Sequence, residues 1–431
     1  MNNLDLLQKL AVLSVDEIEK ALNEDSSNLP IQNLMGEEKA EQLIQAARAP
    51  KARGIKEPIA VLPGIMGSLL FSIRGVTTML WINPLLFING QASYLRIDDE
   101  ERTSPMVECV AFSLEKLTYL KLVLELRREF TVYEFPYDWR LPIENNADIL
   151  HSSIERWISA HPGQKITLVA HSMGGLVSRS YLGRHPETAE NRISRLITLG
   201  TPHLGATSAI DNLYHGNQMI AVVDRINQQN EMNQVVLSMP SVYQLLPAPP
   251  SLLPDNVEPA NWNLYDASTW GITGIKQKYL DLARSFHESL AASDPQVELV
   301  QIAGCNIQTL TLIKRENGTG TIPYEMIAFD EGKDSGDGTV PGWSGFYPKA
   351  RVYYIQEVHR NLPGNSDVIQ AVKAITREGK CNLSQQVPKK KSGLIARDSP
   401  LPVNTRATII EEKIHSGTVT EADLENLYFA L

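Results

Sequence analysis

A chain of 431 residues is long enough for one large domain with insertions or for two domains. Hydrophobic residues make up 43% and charged residues 21%, an ordinary balance for a soluble globular protein, and no uninterrupted run approaches the roughly 20 apolar residues of a membrane span. Against 40 Lys and Arg stand 50 Asp and Glu, a net charge of −10 that argues against nucleic acid as a partner and weakens any broad attraction to anionic membranes. Cys109, Cys305 and Cys381 lie far apart without metal-ligand spacing, so plain thiols in a reducing compartment are expected, with no metal and no cofactor. Met1–Asp5 carries no basic leader and no apolar signal core follows, which gives a cytoplasmic expectation.

Residues 1–52 read as a helical extension. Leu6, Leu7, Leu10 and Leu13 recur at helical spacing, Ser14-Val15-Asp16-Glu17 has the form of a capping box, and a third helical piece runs over Glu37–Arg48. Such helices either pack on the core or dock a protein partner; the residues carry no chemistry of their own. Pro58–Leu62 is a short apolar strand running into the glycine-containing loop Pro63–Ser68. Residues 69–110 are irregular, and the apolar stretch Trp81–Phe87, interrupted by Pro84, reads as neither a good strand nor a good helix. It is either core or a mobile lid segment. A helix is predicted over Ser113–Arg128 and a strand over Thr131–Phe135. At the end of that strand, Asp138 and Arg140 beside Trp139 suggest an ion pair that fixes a loop. A further helix is predicted over Asp148–Ala160.

The stretch that organises the rest is Ile166–Val177. Ile166, Leu168 and Val169 make a buried strand, Leu176 and Val177 begin a helix, and Ser172 sits at the turn between them. A nucleophile at such an elbow has strained backbone angles and tolerates only small neighbours two positions away, here Ala170 and Gly174. The helix N-terminus behind it favours negative charge developing at that point. The loop after the first strand and the residue after the nucleophile would supply two backbone N–H donors, assigned to Ile65 and Met173.

Ile193–Leu199 is the next strand, and strands alternating with helices argue for a mostly parallel sheet covered by helices on both faces. Residues 204–292 break that rhythm and read as an inserted cap or lid; Val297–Gly304 resumes the sheet. Gly336–Pro341 is a tight turn presenting Asp337, and His359 follows the last strand, Arg351–Ile355. Ser172, Asp337 and His359 stand in the nucleophile–acid–base order of the α/β-hydrolase fold, with His359 taking the serine proton and Asp337 orienting it. Asp330 and Asp334 are rival acids, and His203 is a rival base. Lys389–Gly393 looks like a solvated linker, followed by a strand-like Ala407–Glu411 and a short helical Glu421–Tyr428. The expected organisation is therefore an extension over 1–52, a hydrolase domain over 53–380 with the insertion at 204–292, and a linker and tail over 381–431.

Seven motifs in this order resemble the lecithin:cholesterol acyltransferase-like family of phospholipases and acyltransferases. They are Leu62–Ser68, Tyr137–Arg140, Ala170–Gly175, Thr198–His203, Pro240–Pro247, Gly336–Pro341 and Val358-His359. Two departures stand out: Ala170 replaces the usual glycine, and no cysteine pair in residues 69–110 matches the lid disulfide of secreted members. The resemblance implies the same triad and donor pair, an acyl-ester substrate that is usually a lipid, and no metal. Trp81 and Trp139 are candidate substrate or lid contacts. The expected activity is a serine esterase acting on lipid acyl esters with transient membrane-surface contact. The alternatives are transfer of the acyl group to an alcohol, or an idle hydrolase fold that binds a partner through residues 1–50 or the tail.

Overall fold

The structure is a computed structural model that describes residues 3–24, 29–74, 77–98, 108–215, 227–315, 324–329, 331–332, 335–345 and 347–390. The strand and helix expected within 407–428 lie outside these residues, as do Asp330 and Asp334.

In chain order the strands are β1 (Pro58–Leu62), β2 (Ser68–Ser72), β3 (Thr78–Trp81), β4 (Cys109–Leu114), β5 (Thr131–Glu134), β6 (Ile166–His171), β7 (Ile193–Leu199), β8 (Glu298–Gly304), β9 (Thr309–Arg315), β10 (Tyr324–Phe329) and β11 (Arg351–Ile355). Six of them form a sheet in the order β11–β8–β7–β6–β1–β5. Every pairing in it is parallel. The strand sequences explain this arrangement: β1 and β6 are buried along their whole length, so both faces of the sheet must be covered and the connections must cross over it. Each Leu or Ile fully buried here contributes on the order of 1.5–3 kcal/mol. From β1 the chain reaches β5 on one side, then returns through β6 to β7, β8 and β11 on the other. The reversal opens a crevice at the carboxyl ends of β1 and β6, the place where open α/β sheets bind ligands.

Four N-terminal helices, α1 (Asn3–Val12), α2 (Val15–Glu24), α3 (Gln32–Met35) and α4 (Glu37–Arg48), contribute Leu6, Ile18, Leu22 and Leu43 to the same continuous core as the sheet. Ser14 and Glu17 form the reciprocal capping box at the start of α2, with Ser14 N–H donating to Glu17 at 2.8 Å. The helix α6 (Lys116–Arg127) receives this extension: Lys121 donates to Gln42 at 2.6 Å, and Arg127 lies 3.5 Å from Glu19.

Residues 68–114 depart from the irregular reading. Strands β3, β2 and β4 form a three-stranded antiparallel sheet, and α5 (Pro84–Ile88) follows β3 directly. Pro84 does not break this stretch; it starts the helix at a first-turn position where its missing N–H has no partner to lose, with Asn83 as the cap. The helix expected from Ser113 begins at Lys116, because Ser113 and Leu114 pair with β2 and Glu115 caps α6 through the N–H groups of Leu117 and Thr118. Within 204–292 the strand–helix rhythm resumes earlier than expected. The helix Gln277–Ala292 leads directly into β8, and its Leu280, Ala283, Phe286 and Leu290 are buried at helical spacing.

Candidate active site

After α7 (Ile143–Ile158), Ser172 lies between β6 and α8 (Met173–Arg184), with φ +53° and ψ −125°, a conformation that costs about 1–3 kcal/mol in a residue with a side chain. The surrounding structure holds it there. Its N–H donates to Leu199 O at 2.9 Å, and its carbonyl accepts from Thr201 Oγ1 at 3.0 Å. Gly174 is dictated by space, since a Cβ there would stand 2.4 Å from the Pro63 carbonyl. Ala170, on the other side of the elbow, sits in register between Leu62 of β1 and Thr198 of β7.

The structure brings Ser172, His359 and Asp337 into one hydrogen-bonded row. Ser172 Oγ is 2.9 Å from His359 Nε2, and His359 Nδ1 is 2.7 Å from Asp337 Oδ2. With Nδ1 protonated, His359 donates to the carboxylate and accepts the serine hydroxyl hydrogen. Asp337 is buried, and its other oxygen accepts from the N–H groups of Thr339 at 3.0 Å and Val340 at 2.7 Å. The His359 N–H donates to the Asp337 carbonyl at 2.8 Å, which ties the two loops together. Gly200, at φ +58°, leaves room for this row; a Cβ there would lie 3.0 Å from both Asp337 Oδ2 and His359 Nδ1.

The rival base His203 is placed elsewhere. Its ring is buried, with Nδ1 3.3 Å from an Arg179 N–H and Nε2 3.3 Å from Gln301 Oε1.

Met173 opens α8, so its N–H is one of the helix's unpaired terminal donors. Ile65 follows Gly64, where a Cβ would stand 2.8 Å from Ser172 Cβ, and its N–H makes no hydrogen bond among the described residues. Both expected donors therefore border Ser172. The loop Pro63–Ser68 is pinned from below: Tyr137 donates to Pro63 O at 2.8 Å, Trp81 Nε1 to Met66 O at 2.9 Å and Trp139 Nε1 to Ser68 O at 3.1 Å. This corrects the substrate or lid reading of Trp81 and Trp139. Both indoles are buried, edge to face at 5.4 Å, because each must satisfy its N–H on a loop carbonyl while burying its ring. The expected ion pair stands beside them: Arg140, fully buried, grips Asp138 at 2.9 and 2.6 Å and donates to Leu95 O.

Tyr119 and His171 escaped the sequence reading. Gly64 N–H donates to Tyr119 Oη at 2.8 Å, Tyr119 is 2.7 Å from His171 Nδ1, and His171 Nε2 is 3.1 Å from the His359 carbonyl. One direction of donation satisfies all three contacts, from Gly64 through Tyr119 and His171 to His359. The row links the loop Pro63–Ser68, the residue before Ser172 and His359. Its only sequence signal is a histidine ahead of the serine.

Burial pushes His171 and His203 well below the usual imidazole range and His287 down to about 4. A histidine neutral in the fold and charged when unfolded binds more protons unfolded, so its contribution to stability rises with pH. The loss runs from about pH 6.5, the ordinary histidine value, down to about 4 for His287. At pH 5.5, thermal unfolding should therefore take up close to three protons from these histidines, measured by calorimetry in buffers of different ionisation enthalpy. Uptake below one proton at that pH would contradict their neutral burial.

A parallel sheet reversed at β1 and β6, with a serine at the strand-to-helix elbow, defines the α/β-hydrolase fold. Residues 118–314 match the family model described as lecithin:cholesterol acyltransferase. That span includes Ser172 and ends before Asp337 and His359. The chain is 29% identical over 126 residues to the Arabidopsis thaliana protein named phospholipase A(1) LCAT3, a match covering 28% of each chain. It is 27% identical over 124 residues to lecithin-cholesterol acyltransferase-like 4 of Arabidopsis thaliana, covering 28% of this chain and 23% of that one. The chain thus spans about a quarter of the length of the curated relatives it matches. Among solved structures, a chain of the Tle4–Tli4 complex aligns at a TM-score of 0.46 and 13% identity, over 74% of this chain and 98% of that one. The mature Bacillus licheniformis lipase BlEst2 aligns at 0.41 and 15%, over 77% and 96%.

Proposed function

We propose that the protein is a serine esterase that cleaves acyl esters of lipids and passes the acyl group to water. The observation that carries this reading is the hydrogen-bonded row Ser172–His359–Asp337 at a strained elbow. His359 accepts the Ser172 proton as the oxygen attacks the ester carbonyl. Asp337 holds the ring and stabilises its charged form. The N–H groups of Ile65 and Met173 stabilise the oxyanion, and His359 returns the proton to the departing alcohol. Water, activated by the same histidine, then releases the acyl group from Ser172. No step calls for a metal or cofactor. The lipid nature of the ester is supported by the names of the relatives, and the cytoplasmic setting by three cysteines that stand as free thiols.

Transfer to an alcohol would use the same acyl-enzyme, so the acceptor decides between the two. A transferase of lipids needs lasting contact with a membrane that carries its acceptor. The net charge of −10 works against that contact, and no helix among the described residues is long and apolar enough to cross a membrane. Labelled phospholipid presented in vesicles with excess sterol or diacylglycerol should therefore yield mainly free fatty acid and lysolipid. More label in new ester than in free acid would make the protein an acyltransferase.

A further inference from the structure

A cavity of about 910 Å³ lies beside the site described above, within the roughly 300–1,000 Å³ typical of small-molecule pockets. Asp337 forms part of its wall, but neither Ser172 nor His359 does. It therefore reaches the acid without reaching the nucleophile or the base. Leu252, Leu253, Ile327, Phe329 and Trp343 give it an apolar lining, and Arg179, His203 and His287 bring polar groups to it.

Arg179 is the unusual member. It is 5% exposed, and no carboxylate pairs with it among the described residues. Its partners among the described residues are the His203 carbonyl at 3.2 Å, the Leu290 carbonyl at 3.3 Å, His203 Nδ1 and Tyr347, whose ring face lies 4.1 Å away and whose side chain also hydrogen-bonds the guanidinium. The buried cations Arg140, Lys116 and Lys373 all face carboxylates, and Arg315, which faces none among the described residues, lines no part of this cavity. The other charged groups in the lining are already engaged: Asp337 with His359, Glu258 with Lys314 and Lys349 with Asp294, each at 2.7 Å. Burial holds His203 and His287 below the usual imidazole range, with the Arg179 guanidinium beside them adding to the effect. A desolvated guanidinium with no counter-charge is costly, and its planar fork of donors suits a carboxylate.

We propose that this cavity binds a free fatty acid, its carboxylate on Arg179 and its chain along the apolar wall, at a site separate from Ser172. Arg179 is also connected to the elbow. His203 passes its hydrogen bond to Gln301, Gln301 donates to Thr201 O, and Thr201 donates to the Ser172 carbonyl. The binding does not depend on ester cleavage. If the cleavage proposed above occurs, the ligand is its product.

The test uses the Ser172→Ala protein, which has no turnover to confuse the reading. Fluorescent cis-parinaric acid is bound and then displaced by dodecanoate or by 1-dodecanol, which share a chain and differ in charge. The expected result is one site per chain and displacement by dodecanoate at least tenfold stronger than by the alcohol. Arg179→Gln should erase that preference, and Leu253→Trp should weaken both competitors by filling the cavity. Wild-type protein phosphonylated on Ser172 should bind parinaric acid as tightly as before. Equal displacement by acid and alcohol would overturn the proposal, as would loss of binding on phosphonylation, which would place the ligand at Ser172. Should Arg179→Gln fail to fold, the acid–alcohol comparison on Ser172→Ala decides alone. A failure of wild-type protein to react with the fluorophosphonate would count against the esterase reading and leave the binding result intact.

Discussion

Ser172→Ala is expected to abolish labelling by a fluorophosphonate probe and to lower ester turnover by about 10⁴–10⁶. The size follows from what the hydroxyl does. It is the atom that would bond to the acyl carbon, and among the described residues no neighbouring group is positioned to replace it: His203 is held by Arg179 and Gln301, and the Tyr119 hydroxyl is held by Gly64 and His171. The fold should survive, because the elbow is fixed by main-chain contacts from Leu199 and by the Thr201 hydroxyl, none of which uses Ser172 Oγ. An unchanged circular dichroism spectrum and melting temperature, alongside lost labelling and turnover, is the outcome to look for. Full turnover in this variant would remove Ser172 as nucleophile.

His359→Ala should be as damaging as loss of the serine, since attack and leaving-group departure both route a proton through Nε2. Asp337→Asn should cost about 10⁴ and leave a residue of activity, because an amide cannot hold the imidazole in the required tautomer with equal strength. The two variants should also differ in stability. Asp337 accepts from Thr339 N–H and Val340 N–H as well as facing His359, and asparagine offers only one oxygen for these three contacts. Parallel kinetics and melting curves on the two variants separate these effects. If Asp337→Asn is silent and Asp334→Asn is not, the acid was assigned to the wrong residue.

How much of this could be read from the chain depended on how local each signal was. The elbow, the Gly336–Pro341 turn and the Ser14–Glu17 capping box are short-range devices whose residue types follow from backbone geometry within a few positions, and they stand where the sequence puts them. Residues 68–114 hid a three-stranded sheet because β2, Ser-Leu-Leu-Phe-Ser, is buried on both sides and shows no alternation; its pairing with β4 reaches about forty positions along the chain. Trp81 and Trp139 suggested a surface role by their size and setting, whereas their N–H groups are satisfied by the loop they support. Tyr119 and Gly200 were invisible for a further reason. Each matters through a contact with a residue far away, His171 for the tyrosine and the Asp337–His359 pair for the glycine. Spacing within one segment carries no trace of such a contact.

The strand order has a temporal side. Ser172 and the donor loop belong to the first half of the chain, but His359 follows β11, the strand that closes one edge of the sheet. A ribosome delivers these parts in sequence, and domains of this size assemble partly while the chain is still being made. The serine can reach its strained elbow once β1, β6 and β7 have met, yet His359, its proposed base, joins it only when the edge strand docks on β8. On the proposed mechanism, the nascent chain therefore carries its nucleophile switched off. Its hydroxyl stays an ordinary alcohol through every incomplete state of the sheet and gains its partner only with the last strand.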